Sequence, residues 1–340
     1  MTKDRIVKKV LITGITGFVG SHLADFILEK HPRVKILGLA RWRSPTDNIT
    51  HILDKITIKY GDLVDLPSVK SILNEEKPDT IFHLAAQSYV PYSYTTPIAT
   101  FEANIFGTCY LLEAVKELKL SSNYDPIIHI CSSSEVYGQV KKDEVPIKET
   151  NPFRPASPYA VSKVAEDMLA QQYWDSWKIK TIRTRMFTHT GPRRGSVFVV
   201  STFAKQIAAI EAGLIPPAVK VGNLDSIRTF TDVRDAVRAY WLLVTKCPPG
   251  EVYNIGGVET MKISEMLDML LKMSKNKKIK VKKDPTRLRP SDVTLQIPST
   301  EKFNKATGWK PEIKFEKTLK DTLNYWRAHF KTVKVYHDKK

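Results

Sequence analysis

Cysteine is scarce in this chain of 340 residues, acidic side chains are outnumbered, and long apolar runs are missing. Cys109, Cys131 and Cys247 stand far apart. Three such residues form neither a disulfide framework nor a metal-ligand spacing. Each is read as a small buried hydrophobe, and no metal is expected. No run approaches the roughly 18 apolar residues of a membrane-spanning helix. Met1 to Lys9 is charged and leads straight into a short strand, without the apolar core and small-residue cleavage site of a secretory leader. The expectation is a cytoplasmic protein with no membrane partner. There is no internal repeat and no low-complexity linker, and hydrophobic residues make up 42%, the share of an ordinary globular chain.

The shortage of acids has its own meaning. Lys and Arg number 53 against 36 Asp and Glu, a formal net charge of +17. The densest basic run, "KMSKNKKIKVKK" at 272–283, lacks interleaved aromatics and reads as a helix end, a turn and an exposed strand. No nucleic-acid partner is therefore expected. The positive field suits a small anionic ligand instead.

What is present is alternation. Apolar runs at 8–14, 34–40, 56–62, 79–86 and 126–132 read as strands. Segments at 18–30, 68–76 and roughly 97–118 read as helices, the first with Val19, Leu23, Phe26 and Ile27 on one face. Short joins between them imply right-handed crossovers and a parallel sheet covered on both faces. After about residue 185 the pattern loosens into helical pieces at 199–213, 232–245, 263–274 and 318–330 with short strands between. The expected fold is α/β: a Rossmann-type doubly wound parallel sheet over 1–185 and a smaller C-terminal α/β lobe over 186–340, with some chain crossing between them.

Four motifs carry chemistry. "GITGFVG" spaces Gly14, Gly17 and Gly20 between a strand and a helix, where a dinucleotide pyrophosphate can meet a helix N-terminus. The second strand ends in "GLARWRS", with Arg41 and Arg43 where an NAD site usually places an acid. NADP is therefore expected, with NAD the alternative. "SPYAVSK" sets Tyr159 and Lys163 four apart on one helix face, where the ammonium is expected to lower the phenol pKa toward neutrality. "CSSSEVYG" leaves the fifth strand at the sheet's carboxyl edge, the ligand-binding side of such sheets.

Together with "HLAAQS", "THTGPRRG" and "RLRPSDV", these motifs resemble the extended short-chain dehydrogenases/reductases that act on nucleotide sugars. More narrowly, residues 7–328 resemble the GDP-mannose 4,6-dehydratases and the related GDP-4-keto-6-deoxymannose reductases. The resemblance implies that Tyr159 is the general base, Lys163 its electrostatic partner, Ser133 a hydrogen bond to the sugar O4 and Glu135 the carboxylate over C5. It places the cofactor at Gly14, Thr16, Gly17, Phe18, Val19 and Gly20, at Asp62 and Leu63 flanking adenine, at Leu84, Ala85, Ala86 and Ser88, and at His189 and Arg194. It places a GDP-sugar at Ser88, Thr188, Arg193, Val221, Asn223, Arg228, Arg289 and Asp292. Thr188 departs from the Asn usual before the family's His. Two long helices are expected to form a homodimer, or part of a homotetramer. The dehydratase branch is expected, from Glu135 and the arginine pair. The alternatives are a 4-reductase forming GDP-D-rhamnose or another nucleotide-sugar epimerase or reductase, and the sugar can be mannose or a manno-heptose.

Overall fold

The computed structural model describes residues 4–288 and 293–337. The first half runs β1 (Lys9–Thr13), α1 (Phe18–Lys30), β2 (Lys35–Ala40), β3 (Thr57–Tyr60), α2 (Leu66–Glu76), β4 (Thr80–His83), α3 (Val90–Thr95), α4 (Pro97–Phe101), α5 (Gly107–Ser122), β5 (Ile127–Ser133), α6 (Pro158–Trp177) and β6 (Thr181–Met186). The second half adds β7 (His189–Thr190), α7 (Val199–Glu211), β8 (Ala218–Val221), β9 (Ile227–Thr229), β10 (Thr231–Asp232), α8 (Val233–Lys246), β11 (Val252–Ile255), β12 (Thr260–Lys262), α9 (Ile263–Met273), β13 (Lys280–Lys283), β14 (Leu295–Gln296), α10 (Glu301–Thr307) and α11 (Phe315–His337).

Seven strands form one sheet in the order β11-β6-β5-β4-β1-β2-β3, and every neighbouring pair is parallel. Side chains alternate between the faces of a strand, and the core follows. Val10 and Ile12 pack with Leu23 and Ile27 of α1 and with Val237 and Tyr240 of α8. Leu11 packs on the other face with Leu73 of α2, Leu111 and Val115 of α5, and Tyr173 of α6. Burial on both faces explains why these strands are continuous apolar runs. Residues 233–255, α8 and β11, thus return to the sheet from the second half of the chain. Helices α7, α9 and α11 build a separate core around Phe203, Ile207, Leu267 and Trp326, against Val219 and Val221, while Phe303 of α10 packs in the core of α1 and α8.

Several elements differ from expectation: β6, whose buried residues include Arg183, Thr184 and Arg185, was not anticipated, and β11 joins the main sheet rather than the second lobe. The helix beginning at Pro97 is broken by a π turn at Glu102–Phe106 between α4 and α5. The cause is Asn104, which is fully buried. Its amide donates to the Gln87 carbonyl at 3.0 Å and to Ser162 Oγ at 2.8 Å, and its oxygen accepts the Gln87 N–H at 2.7 Å. The wider turn delivers this side chain to two elements at once. The short helix α3 was not anticipated. The lysine run behaves as read: α9 ends at Met273 and β13 is exposed along its length. Among the described residues no helix is long and apolar enough to cross a membrane.

Asp167 of α6 anchors the far side of the sheet. It accepts from Arg183 Nη1 at 3.1 Å and from Arg185 Nε at 2.8 Å, all three side chains being buried. Asp167→Ala strands two buried guanidiniums, so chemical unfolding is expected to show a loss of about 3–5 kcal/mol. A loss below about 1 kcal/mol would place this cluster among the weak ion pairs of a surface.

Candidate active site

β1 and β4 are neighbours, and their ends build the floor of a cleft at the sheet's carboxyl edge. Thr13 Oγ1 accepts the N–H groups of Leu84 and Ala85, each at 3.1 Å, tying the two loops together. Gly14 has φ +71°, and a Cβ there would lie 2.9 Å from the Ala85 Cα. A Cβ on Gly20 would lie 2.4 Å from the Gly14 carbonyl oxygen. Both positions therefore demand glycine. α1 begins at once, with Gly17 as its N-cap and no side chain capping it, so its first N–H groups are left for a ligand.

The cleft encloses about 1660 Å³, beyond the roughly 300–1,000 Å³ of a single-ligand site, and it extends from the glycine loop to the lobe of α7 and α9. Gly14, Thr16, Gly17, Phe18, Val19 and Gly20 line one end. Arg41 and Arg43, exposed just beyond β2, and Asp62 and Leu63, just beyond β3, border the same end. Leu84, Ala85, Ala86 and the exposed Ser88 follow β4. Among the described residues the lining carries seven Lys and Arg side chains against three carboxylates, Asp62, Glu102 and Glu135. That imbalance fits phosphate-bearing ligands.

Ser133 is the last residue of β5, and its Oγ accepts the Glu135 N–H at 3.2 Å, starting a short 3₁₀ turn. α6 starts at Pro158, its first turn capped by Ser157 Oγ, which accepts the Ala160 N–H at 3.1 Å. One turn of helix then sets Tyr159 and Lys163 on the same face, the ammonium 5.9 Å from the phenol ring centre. Lys163 Nζ donates to the Cys131 carbonyl at 3.0 Å and to Glu166 at 2.8 Å. The phenol pKa departs from expectation. Burial pushes Tyr159 up, and Lys163 and its hydrogen bond to Ser133 only oppose that rise. In the protein alone, loss of solvent outweighs the cation. Cys109 and Cys131 also depart from the reading of three buried cysteines: both are half-buried, and Cys131 lines the cleft, while Cys247 is fully buried.

Glu135 is half-buried and lines the cleft. Gln296 Nε2 lies 3.5 Å from its Oε1, while Gln296 Oε1 accepts from Ser134 Oγ at 3.2 Å. Gln296 comes from β14, where it stands in register with Arg228 of β9. Sequence reasoning missed Gln296 and Asn104. Neither lies in a motif, and only the pairing of β14 with β9 and the π turn bring them in.

Further residues close the cleft from above. Thr188, His189, Asn223 and Arg228 line it. Arg228 also donates to the Ile227 carbonyl at 3.1 Å and to the Val293 carbonyl. The Arg194 guanidinium sits between the rings of Phe198, at 3.5 Å, and Phe18, at 4.9 Å. Two expected substrate contacts are placed elsewhere. Arg193, at φ +66°, turns away and pairs with Asp25 of α1 at 2.7 Å. Val221 has no exposed surface and belongs to the core of the second lobe. Arg289 and Asp292 lie outside the described residues.

A dinucleotide fits the residues present. The glycine turn is a cradle that a Cβ would fill, and the start of α1 is uncapped. His189 Nε2, on the lining, is buried without a hydrogen-bond partner among the described residues. Burial, with Arg194 adding to it, pushes His189 down to about 3, so it offers a neutral ring.

Comparison with known proteins agrees with this geometry. The profile of the GDP-mannose 4,6 dehydratase family matches residues 11–322. The GDP-6-deoxy-D-mannose reductase of Pseudomonas aeruginosa is 32% identical over 325 residues, covering 95% of this chain and 98% of that one. The GDP-mannose 4,6-dehydratase of Yersinia enterocolitica is 33% identical over 346 residues, with 91% of each chain covered. Among solved structures, RMD from Pseudomonas aeruginosa, complexed with NADPH, superposes with a TM-score of 0.82 at 31% identity, covering 95% and 99%. The UDP-glucose 4-epimerase of Thermus thermophilus, in complex with NAD, does so with 0.82 at 27%, covering 94% and 99%. With its glycine turn, its Tyr159–Lys163 pair and a match along nearly its whole length, the chain belongs to the GDP-mannose 4,6-dehydratase family.

Proposed function

We propose that the chain is an NADP-dependent nucleotide-sugar 4,6-dehydratase, converting GDP-mannose or a GDP-manno-heptose to the GDP-4-keto-6-deoxy sugar. One observation carries this reading: a carboxylate, Glu135, shares the cleft with Ser133, Tyr159 and Lys163. The glycine turn, Arg41, Arg43, His189 and Arg194 hold the cofactor. The lobe of α7 and α9 holds the nucleotide, with Asn223 and Arg228 at the GDP end. When bound, the nicotinamide supplies the hydride acceptor for C4 and the hydride donor for C6.

The chain's own residues move the protons. Tyr159 takes the O4 proton as C4 is oxidised, and Ser133 holds that oxygen. Lys163 stabilises the phenolate. The new 4-keto group acidifies C5–H. Glu135 takes that proton and passes it to the C6 hydroxyl, which leaves as water. The proton taken from O4 returns to C5 as hydride reaches C6. The substrate thus loses one water, and no reduced cofactor is consumed. Incubation with GDP-mannose and catalytic NADP⁺ tests this by mass, the expected product being lighter by one water. A product of unchanged mass contradicts it. The second reading, a 4-ketoreductase, is favoured by similarity to the Pseudomonas aeruginosa reductase over nearly the full chain.

Arg41 and Arg43 suit a 2′-phosphate. NADP is expected to bind roughly tenfold or more tightly than NAD, about 1.4 kcal/mol or more by calorimetric titration. Equal affinity removes both arginines from cofactor selection. Ile98, Phe106, Val161 and Met168 expose apolar surface on α4, the π turn and α6. This surface supports a homodimer, or part of a homotetramer, in a cytoplasmic enzyme.

A further inference from the structure

We propose that Glu166 is a positioning residue: its carboxylate fixes the Lys163 ammonium and, by opposing its charge, sets how readily the Tyr159 phenol gives up its proton. This rests on the reading of Tyr159 as the proton-transferring group, which the dehydratase and the reductase share. Glu166 lies three residues beyond Lys163 on α6 and pairs with it at 2.8 Å. The two side chains are 1% and 4% exposed. Only Oε2 is used. Oε1 is buried and has no hydrogen-bond partner among the described residues.

A buried ion pair with an unsatisfied oxygen is a poor stabilising device, since an apolar residue avoids the desolvation cost. The next residue shows the contrast: both oxygens of Asp167 accept from Arg183 and Arg185. Among the described residues, Lys163 is the hydrogen-bonded partner of Glu166. Lys163 in turn spends two of its three N–H donors on the Cys131 carbonyl and on Glu166. These two anchors leave one donor and aim the ammonium along the face that carries Tyr159.

The other groups facing this cluster leave Glu166 the decisive anion. His83 of β4 and His129 of β5 are pushed down to about 3, chiefly by burial, and stay neutral. Burial pushes the Cys131 thiol and the Tyr240 phenol of α8 up, so they stay neutral too. Arg194, from the loop before α7, keeps its charge although burial lowers it to about 10. Asp167 is engaged by its two arginines. Glu166 itself is pushed up to about 7 by burial, against the pull of Lys163. Its charge is coupled to that of the ammonium it pairs with, so Tyr159, Lys163 and Glu166 titrate as a set. The ionised carboxylate raises the phenol pKa and the neutral acid releases it.

The test is titration of Tyr159 in the cofactor-loaded protein, read as the near-ultraviolet tyrosinate band of each protein minus that of its Tyr159→Phe counterpart. It needs no substrate, so it stands apart from the choice between dehydratase and reductase. Glu166→Gln is expected to lower the Tyr159 midpoint by roughly one pH unit or more, the effect of removing one buried charge within several ångströms. The rising limb of the pH–rate profile, set by loss of the Tyr159 proton, should move to lower pH by the same amount. Glu166→Asp, which keeps the charge but withdraws it by one methylene, is expected between wild type and Glu166→Gln. If Glu166→Gln does not fold, the partial downward shift of Glu166→Asp is the test. A midpoint at or above the wild-type value in the folded variant overturns the proposal.

Discussion

Glu135→Gln is expected to stop the reaction after its first half. The amide is nearly isosteric and can still hydrogen-bond Gln296, but it cannot accept the C5 proton. Ser133, Tyr159 and Lys163 remain in place, so C4 oxidation continues. The variant should accumulate protein-bound reduced nicotinamide, together with a 4-keto sugar that retains its C6 oxygen. Formation of the dehydrated product should fall by about 10²–10⁴-fold, the usual contribution of a general acid–base group. Wild type should show no lasting nicotinamide reduction, because its hydride returns to C6. Stopped-flow absorbance of the reduced cofactor, followed by product mass, reads both quantities. Dehydration at more than a tenth of the wild-type rate assigns the C5 proton to another group.

Tyr159→Phe removes one oxygen and leaves the ring against Lys163. Turnover is expected to drop by about 10²–10⁴-fold while NADP affinity changes little. Unlike Glu135→Gln, this variant should not build up reduced nicotinamide, since the O4 proton has no acceptor. The two variants therefore fail at different steps, which a common structural defect would not reproduce. A Tyr159→Phe protein retaining more than half its activity shows that the O4 proton leaves by another route. The sign of the pH dependence follows from burial. The phenol is pushed up, so oxidation should accelerate as pH rises until the proton is lost.

Five strands of the sheet were readable because burial leaves apolar runs bounded by turns, and α1 was bounded correctly by Gly17 and by Lys30 before His31. β6 was not, because its buried residues include Thr181, Arg183, Thr184 and Arg185, and β11 reaches the sheet only by the return of distant chain. The glycine turn, the Tyr159–Lys163 pair and the serine cluster were legible because each requirement is local: a tight backbone, a helical repeat, a strand end. The remaining features depend on distant chain. Arg193 and Arg194 are adjacent and chemically alike, and only the positive φ of Arg193 sends one to Asp25 and the other between two rings. Val221 looks like any apolar residue near a ligand lobe until α7 and α9 close over it. Gln296 reaches Glu135 through a pairing of two short strands far apart in sequence. The direction of the Tyr159 shift needs the depth of the cleft, which residue spacing does not contain.

The most direct measurement of the central claim follows the hydride. GDP-mannose carrying deuterium at C4 is incubated with the protein and a trace of NADP⁺, and the product is read by mass and by nuclear magnetic resonance. A dehydratase predicts loss of one water and deuterium at C6 of the same sugar, with no consumption of reduced cofactor. Unchanged GDP-mannose, with stoichiometric consumption of NADPH when a GDP-4-keto-6-deoxy sugar is supplied instead, contradicts it and assigns the chain to the reductases.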